Sequence, residues 1–162
     1  MTITVRKAKP GDEPLILNFI TELATYEKLA HEVVATTDHI RKTLFTEYPK
    51  AFALIAEINN TPVGFALYFF NYSTFLGRHG LYLEDLFVPE EQRGHGVGKA
   101  LLARLARIAV KNECGRMEWS VLDWNAPAIE FYQSLGAQAM DGWTINRLTG
   151  DALSALAGEA AS

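Results

Sequence analysis

The stretch LEDLFVPEEQRGHGVGKALL, Leu83–Leu102, decides the fold. An apolar strand runs into a turn with three glycines at alternate positions, and the turn leads into a segment with the apolar spacing of a helix. Backbone N–H groups at such a helix start lack intrahelical partners and point outward, at the positive end of the helix dipole. The stretch therefore predicts a turn that binds a pyrophosphate, with Arg93 and Lys99 as additional cations.

Two better-known phosphate-binding motifs do not fit this turn. The dinucleotide pattern G-x-G-x-x-G, started at Gly94, requires a glycine where Lys99 stands. The P-loop pattern requires serine or threonine where Ala100 stands and glycine where Arg93 stands. The alternative is a glycine-rich turn that only connects a strand to a helix, and the strand, Arg93 and the helix together argue against it.

Strands and helices alternate on both sides of this stretch, as judged from apolar periodicity and from turn and cap residues. The predicted strands are Thr2–Arg6, Ala51–Ile58, Val63–Phe70, Leu81–Val88, Met117–Leu122 and Thr144–Leu148, with a loop over Asn71–Gly80. The predicted helices begin after Asp12, after Thr36 or Thr37 and after the glycine turn, span Ala126–Leu135, and end the chain. This order indicates one domain over residues 1–162, with an α/β fold, a mixed sheet and helices on both faces.

Composition argues against several classes of function. The net charge of −4 argues against nucleic-acid binding, which normally requires a basic patch. No apolar run approaches the ~20 residues of a membrane span, and the N-terminal residues lack the apolar core of a signal peptide, so we expect a cytoplasmic protein with no membrane partner. The single cysteine, Cys114, cannot form an internal disulfide, and the scattered His31, His39, His79 and His95 predict no metal site.

Two motifs together resemble the GNAT acetyltransferases. Arg93-x-x-Gly96-x-Gly98 matches the acetyl-CoA signature of that family. The segment NAPAIEFY, Asn125–Tyr132, closed by LGA at 135–137, matches its second signature. The resemblance implies a GNAT-type central sheet that is mixed but mostly antiparallel, and it implies acetyl-CoA as the acetyl donor.

Within that family, the chain is similar to the diamine (spermidine/spermine) and thialysine acetyltransferases. The shared segments are ELATYEKL, VGFALYFF, LYLEDLFV and VLDWN, and the last of these, with the tail GDALSALAG, favours the thialysine-type branch. After VGFALYFF, that family usually reads Tyr-Asp-Pro-Trp, whereas this chain reads Tyr72-Ser73-Thr74-Phe75. An acidic partner for a distal ammonium is therefore missing at Ser73, which argues against a long polyamine as the natural substrate.

Acetyl transfer to an amine requires a base and an acid. An alkyl amine has a pKa near ~10, so a base must take its proton before it attacks the thioester. Glu84 and Asp85 are the candidate carboxylates, and regular strand alternation sends them to opposite faces of the sheet. The resemblance favours Glu84 as the base, acting through water, with Asp85 supporting the site and Tyr132 as the acid. The alternatives are two solvated strand acids and a tyrosine that only packs beside Phe131.

The resemblance also implies which residues bind the two substrates. Backbone amides of Leu86–Val88 would bind the acetyl carbonyl and the pantetheine arm. The acetyl-CoA set is Leu86, Phe87, Val88, Arg93, Gly94, His95, Gly96, Val97, Gly98, Lys99, Asn125, Ala128 and Tyr132. The amine set is Tyr26, Glu27, Glu84, Asp85, Glu118, Trp119 and Ser120. Glu27 and Glu118 have the alternative of exposed surface acids, and Asn125 that of a plain N-cap.

The function that these observations predict is transfer of acetyl from acetyl-CoA to a primary amine of a small molecule: a diamine, a polyamine or a thialysine-like amino acid. The resemblance further implies a homodimer, and no metal is expected. Two alternatives stay open, a protein or peptide N-acetyltransferase and a non-catalytic acyl-CoA-binding sensor. The presence of both Glu84 and Tyr132 argues against a sensor, which needs neither residue.

Overall fold

The computed structural model describes residues 1–161, which form two compact units that divide after Leu122. The first unit contains a five-stranded sheet of order β1-β2-β3-β4-β5. The strands are β1 (Ile3–Lys7), β2 (Phe52–Ile58), β3 (Thr61–Ser73), β4 (Arg78–Phe87) and β5 (Met117–Trp119). Strands β1 to β4 pair antiparallel, and β5 is parallel to β4, which confirms the predicted mixed, mostly antiparallel sheet.

Helices cover both faces of this sheet. The first unit holds α1 (Glu13–Tyr26), α2 (Thr37–Leu44) and α3 (Val97–Lys111). Helices α1 and α2 share one buried cluster with the strands, built from Ile16, Phe19, Leu23, Ile40, Ala53, Ile55, Phe65 and Phe87. Gly64 lies on the other face, where an added Cβ would come within 3.1 Å of Val97 Cγ1 in α3. Because adjacent strand residues point to opposite faces, α1 and α2 lie on one side of the sheet and α3 on the other.

The start of α1 is held by an ion pair rather than by a side-chain cap. Asp12 occupies the predicted N-cap position, but its side chain makes no cap hydrogen bond. Its carboxylate instead accepts from both terminal nitrogens of the Arg6 guanidinium, at 2.8 and 3.1 Å, and from the Lys9 backbone N–H at 2.8 Å. The hydrogen bonds from Arg6 lower the pKa of Asp12 below its ordinary value. The pair fixes β1 to the first turn of α1.

The predicted loop over Asn71–Gly80 is mostly strand. Strand β3 continues to Ser73 and β4 begins at Arg78, so only residues 74–77 connect them. Asn71 pairs with Gly80 in this hairpin. A Cβ on Gly80 would come within 2.6 Å of Asn71 Oδ1 and 3.0 Å of the Arg116 carbonyl oxygen. The glycine is therefore a site of close strand packing and not a loop residue, a distinction that composition does not reveal.

The second unit, which begins at Asp123, contains α4 (Ala126–Ser134) and α5 (Gly150–Ala157). Both helices were predicted. The predicted strand at Thr144–Leu148 is wrong, because residues 137–149 form neither strand nor helix. A strand needs a hydrogen-bonded neighbour, and the described residues of this unit supply none. No helix among residues 1–161 combines the length and apolar character needed to cross a membrane.

Candidate active site

Strands β4 and β5 separate after a short parallel pairing at one edge of the sheet. They pair only through Leu81–Leu83 of β4, opposite Met117–Trp119. The predicted strand Met117–Leu122 is thus too long, since β5 ends at Trp119 while β4 continues to Phe87. On the β5 side, no described strand pairs with β4 beyond Leu83. The predicted backbone donors of Leu86–Val88 lie at this open edge, where a ligand can take the place of a strand partner.

A β-bulge places Glu84 outside the regular ladder of β4. Asp85 pairs with Leu67 and Leu83 pairs with the adjacent Tyr68, so Glu84 is the extra residue. Leu83 and Asp85 would share a face in a regular strand, but here their partners point to opposite faces. The bulge therefore interrupts the simple alternation on which the separation of Glu84 from Asp85 was based, and it places Leu83 and Asp85 on opposite faces. Asp85 lies on the face of Leu67, which packs against the α1 cluster.

Three carboxylates interact electrostatically near the bulge. Asp85 is half-buried, Glu84 is exposed, and the half-buried Glu27 directly follows α1. Burial, followed by the charges of Glu84 and Glu27, raises the pKa of Asp85 to about 7. Burial also raises the pKa of Glu27. This acidic cluster can attract an ammonium group, and Asp85 can take or release a proton near neutral pH.

The glycine turn has the conformation expected of an anion cradle. Gly94 and Gly96 have φ angles of +82° and +85°, which disfavour any residue with a side chain. An added Cβ would meet no atom within 4 Å at Gly94, so the turn presents open main chain. The first intrahelical bond of α3 is donated by the Ala100 N–H to the Gly96 carbonyl at 2.9 Å. The N–H groups of residues 97–99 therefore lie outside the helix's own hydrogen-bond ladder.

Arg93 links this turn to the end of α1. Its guanidinium lies 4.6 Å from the centroid of the Tyr26 ring, a cation–π contact. Its Nε donates to the Val88 carbonyl at 2.9 Å. Of the two predicted cations, Arg93 thus contacts the amine set through Tyr26, whereas Lys99 lies exposed in the first turn of α3. His95 Nδ1 lies 3.2 Å from the Gln92 carbonyl oxygen within the turn.

The predicted amine-binding residues in β5 and directly after it have partners of their own. Glu118 forms an ion pair with Arg116 at 3.2 Å, and its Oε1 accepts from Asn71 Nδ2 at 3.4 Å. The Ser120 hydroxyl oxygen lies 2.8 Å from the Tyr82 hydroxyl oxygen, within hydrogen-bond distance. Trp119 is half-buried. Glu118 does not contribute to the raised pKa of Asp85, whereas Glu27 does, so the structure joins Glu27 to the acidic cluster.

In the second unit, α4 carries the remaining predicted residues. The Asn125 side chain accepts from the Ala128 backbone N–H at 3.4 Å, so Asn125 is an N-cap of α4. Tyr132 is half-buried, and its ring lies 5.6 Å from the Phe131 ring. Among residues 1–161, no group of three or more histidine, cysteine, aspartate or glutamate side chains is arranged to hold a metal ion.

Sequence analysis did not single out Tyr82 or Arg116. Tyr82 contacts Ser120, which directly follows β5, and Arg116 contacts Glu118 within β5. Tyr82 stands directly opposite Glu118 in the parallel pair, so only the β4–β5 register could have identified it. That register depends on long-range pairing and has no local signal.

Comparisons with known proteins identify the family of this chain. The acetyltransferase (GNAT) family profile matches residues 20–137. The chain is similar to thialysine N-epsilon-acetyltransferase from Bos taurus, with 40% identity over 97% of this chain and 98% of the relative. It is also similar to L-ornithine N5-acetyltransferase NATA1 from Arabidopsis thaliana, with 35% identity over 94% and 86% of the two chains. The chain therefore belongs to the GNAT family and is an acetyltransferase, as the resemblance indicated.

A solved structure extends the agreement to the fold. The integron cassette protein VCH_CASS6 from the V. cholerae mobile metagenome has a TM-score of 0.79 and 27% identity. The match covers 97% of this chain and 98% of that chain.

Proposed function

We propose that this acetyltransferase moves acetyl from acetyl-CoA to a primary amine of a small molecule, either a lysine- or ornithine-like amino acid or a short diamine. The observation that carries the proposal is the acidic cluster of Glu27, Glu84 and Asp85 at the bulge of β4. Ammonium groups need anionic partners when they leave water, and the cluster offers them. The relatives named for thialysine and ornithine, both amino acids with a side-chain amine, support this substrate class.

The glycine turn and the open edge of β4 fit acetyl-CoA as the acetyl donor. Main-chain N–H groups at the start of α3, together with Lys99, would hold the diphosphate. Arg93 would position Tyr26 and the end of β4, because its guanidinium already contacts both. The backbone of Leu86–Val88 would bind the pantetheine arm and the acetyl carbonyl. The other residues of the predicted acetyl-CoA set would also contact acetyl-CoA: Gly94, His95, Gly96, Val97, Gly98, Asn125 and Ala128.

The amine must lose a proton before it attacks the acetyl carbonyl. We assign Glu84 as the base, through water, because it stands at the bulge beside the open edge. Asp85, with a pKa of about 7, would buffer the proton within the cluster. We assign Tyr132 as the acid that protonates the thiolate of CoA, since the phenol hydroxyl of a tyrosine can act as a general acid. The assignment of Tyr132 rests on the motif Asn125–Tyr132.

The residue at the end of β3, Ser73, bears on the length of the amine that the site prefers. Ser73 is buried there, and its Oγ accepts from the Leu76 backbone N–H at 3.2 Å. This residue replaces the aspartate that related diamine acetyltransferases usually carry, so a distal ammonium lacks one anionic partner. We therefore propose a modest preference for short amines over spermine.

The assembly that we propose is a homodimer of single-domain chains, 1–162, in the cytoplasm. Several large apolar side chains of the second unit support it, because Trp143 is 83% exposed and Ile145 is 76% exposed. Light scattering coupled to gel filtration measures the oligomeric state, and a monomer at micromolar concentration would contradict this part of the proposal.

A thiol-release assay with a panel of amines tests the activity. The panel contains thialysine, ornithine, putrescine, spermidine, spermine and a short peptide with a free N-terminus. We expect the highest kcat/KM for thialysine or ornithine. Glu84→Gln should lower kcat by ~10²–10⁴-fold, the usual range for a positioned general base. Glu22→Gln is the matched control and should retain most activity, because it removes one carboxylate from an exposed position of α1 that belongs to neither predicted set.

Measuring acetyl-CoA binding distinguishes the alternative functions if the proposed activity is not observed. Acetyl-CoA should raise the Tm of the wild type and of both variants, since a ligand of the folded state stabilises it, whereas ATP and NADH should have little effect. Acetylation of the peptide alone would indicate a protein acetyltransferase. A Tm increase with no turnover of any amine would indicate an acyl-CoA sensor.

A further inference from the structure

A cavity lies at the opposite end of α3 from the glycine turn. It has a volume of about 660 Å³. Its lining includes Arg104, Arg107 and Lys111 of α3, and none of its lining residues belongs to the predicted acetyl-CoA or amine set. Arg107 is ten positions beyond Val97, which is about 15 Å along a helix. The cavity is therefore separate from the proposed active site.

Aromatic rings form one wall of this cavity. Phe52 of β2 stands opposite Tyr68 of β3, and Phe70 follows two positions later, on the same face of the strand. The Phe52 and Tyr68 rings stack with centroids 5.4 Å apart, and Phe70 lies edge-on to them at 5.8 and 6.0 Å. Tyr68 is buried and Phe70 is 37% exposed, so the cluster continues from the core to the cavity surface. Such a wall can stack a planar ring.

Positive charge lines the opposite wall. Arg104, Arg107 and Lys111 are spaced along one stripe of α3, and Lys7 adds a fourth cation from the end of β1. Arg104 is held in place, since its guanidinium donates to the Val5 carbonyl at 3.2 Å. No aspartate or glutamate lines the cavity, and among residues 1–161 no ion pair involves these four cations.

The positive charge of the cavity lining contrasts with the whole chain, which has a net charge of −4. The carbonyl end of α3 offsets part of the charge of Lys111, which lies in the last helical turn. Arg104, Arg107 and Lys7 retain their charge at the cavity. An anion is therefore favoured here, whereas the amine substrates of the acidic cluster are repelled.

We propose that this cavity is a binding site for an aromatic carboxylate. The ring stacks against the wall of Phe52, Tyr68 and Phe70. The carboxylate accepts from the guanidinium groups of Arg104 and Arg107, whose planar forks match its geometry. The cavity volume lies within the range of ~300–1,000 Å³ that small-molecule sites occupy.

Calorimetric titration of the full chain tests the site. The probes are 2-naphthoate and its neutral analogue 2-naphthamide, each with and without saturating acetyl-CoA. We expect 2-naphthoate to bind and 2-naphthamide to bind much more weakly, with acetyl-CoA leaving both unchanged. The double variant Arg104→Gln/Arg107→Gln should weaken 2-naphthoate binding by about tenfold, since each partly exposed charge contact contributes up to ~1 kcal/mol. An increase in the Tm of this double variant on addition of acetyl-CoA shows that the variant remains folded.

The double variant Arg41→Gln/Lys42→Gln is the matched control. It removes the same charge from α2, but both side chains point to Asp38 and neither lines the cavity. The proposal is overturned if 2-naphthoate does not bind, if the amide binds equally well, or if the control weakens binding to the same extent. Displacement of 2-naphthoate by acetyl-CoA also overturns it, because the probe then occupies the glycine turn. These outcomes are independent of whether the amine panel is acetylated.

Discussion

Replacing Asp85 by asparagine should stabilise the folded protein above neutral pH. Burial and the charges of Glu84 and Glu27 raise the pKa of Asp85 from 3.8 to about 7. In the unfolded chain, the carboxyl titrates near its ordinary value. Between pH ~4 and ~7, the folded protein therefore holds a proton that the unfolded chain has lost. The stability of the wild type falls as the pH rises through this window and stays at the lower level above it.

The magnitude follows from the size of the shift. A pKa that is raised by about three units corresponds to about 4 kcal/mol, at 1.36 kcal/mol per unit. Asp85 is only half-buried, so solvent screening reduces this value, and we expect Asp85→Asn to gain about 2 kcal/mol at pH 8. For a protein of this length, the gain raises Tm by roughly 4–8 °C. At pH 4, wild-type Asp85 is protonated in the folded state and partly protonated in the unfolded state, so most of the gain should be lost.

Thermal denaturation followed by circular dichroism at pH 4, 6 and 8 measures this effect. The comparison includes the wild type, Asp85→Asn and the control Glu118→Gln, whose carboxylate is paired with Arg116 and should show no stabilisation. A Tm increase of the same size at pH 4 and pH 8 would refute the reasoning. A lower Tm of Asp85→Asn at pH 8 would refute it as well, because it would mean that the charged carboxylate stabilises the fold.

Other substitutions test the remaining assignments. Tyr132→Phe should lower kcat by ~10²–10⁴-fold with little change in the Kd of acetyl-CoA, and an unchanged kcat would leave Tyr132 with a packing role only. Ser73→Asp should raise kcat/KM for spermidine several-fold relative to ornithine, since one partly exposed charge contact is worth up to ~1 kcal/mol; a wild type that prefers spermine by tenfold would contradict the assignment. Asp12→Asn should cost about 1–3 kcal/mol at pH 7, measured by urea denaturation, because it removes charged hydrogen bonds from Arg6. The pKa of Asp12 is lowered in the folded state, so this stabilisation is present above its ordinary pKa of 3.8 and is lost as the pH falls below it. If the loss of stability caused by Asp12→Asn stays constant down to pH 2, the Arg6–Asp12 ion pair does not have this role.

Local patterns predicted most of the elements. Helices α1 to α4 begin where cap residues, prolines and glycines indicated, within one or two residues. Helical spacing and caps act over a few residues, so one chain carries their full signal. The glycine turn was also predictable, because left-handed φ angles at Gly94 and Gly96 require glycine. The errors lie where pairing decides the outcome: at Asn71–Gly80, at the end of β5 and at Thr144–Leu148.

The chain's own sequence determined the family, the strand-glycine turn-helix unit and the residue types of the site, because each depends on short motifs at definite spacing. Only the tertiary structure decided how those residues act on one another. The bulge at Glu84 places Leu83 and Asp85 on opposite faces, the end of α1 brings Glu27 to Asp85, and Arg93 contacts Tyr26 across 67 positions of sequence. A raised pKa needs burial and neighbouring charges, and both come from segments far apart in sequence. Long-range packing therefore sets the chemistry of this site, whereas local sequence sets its parts.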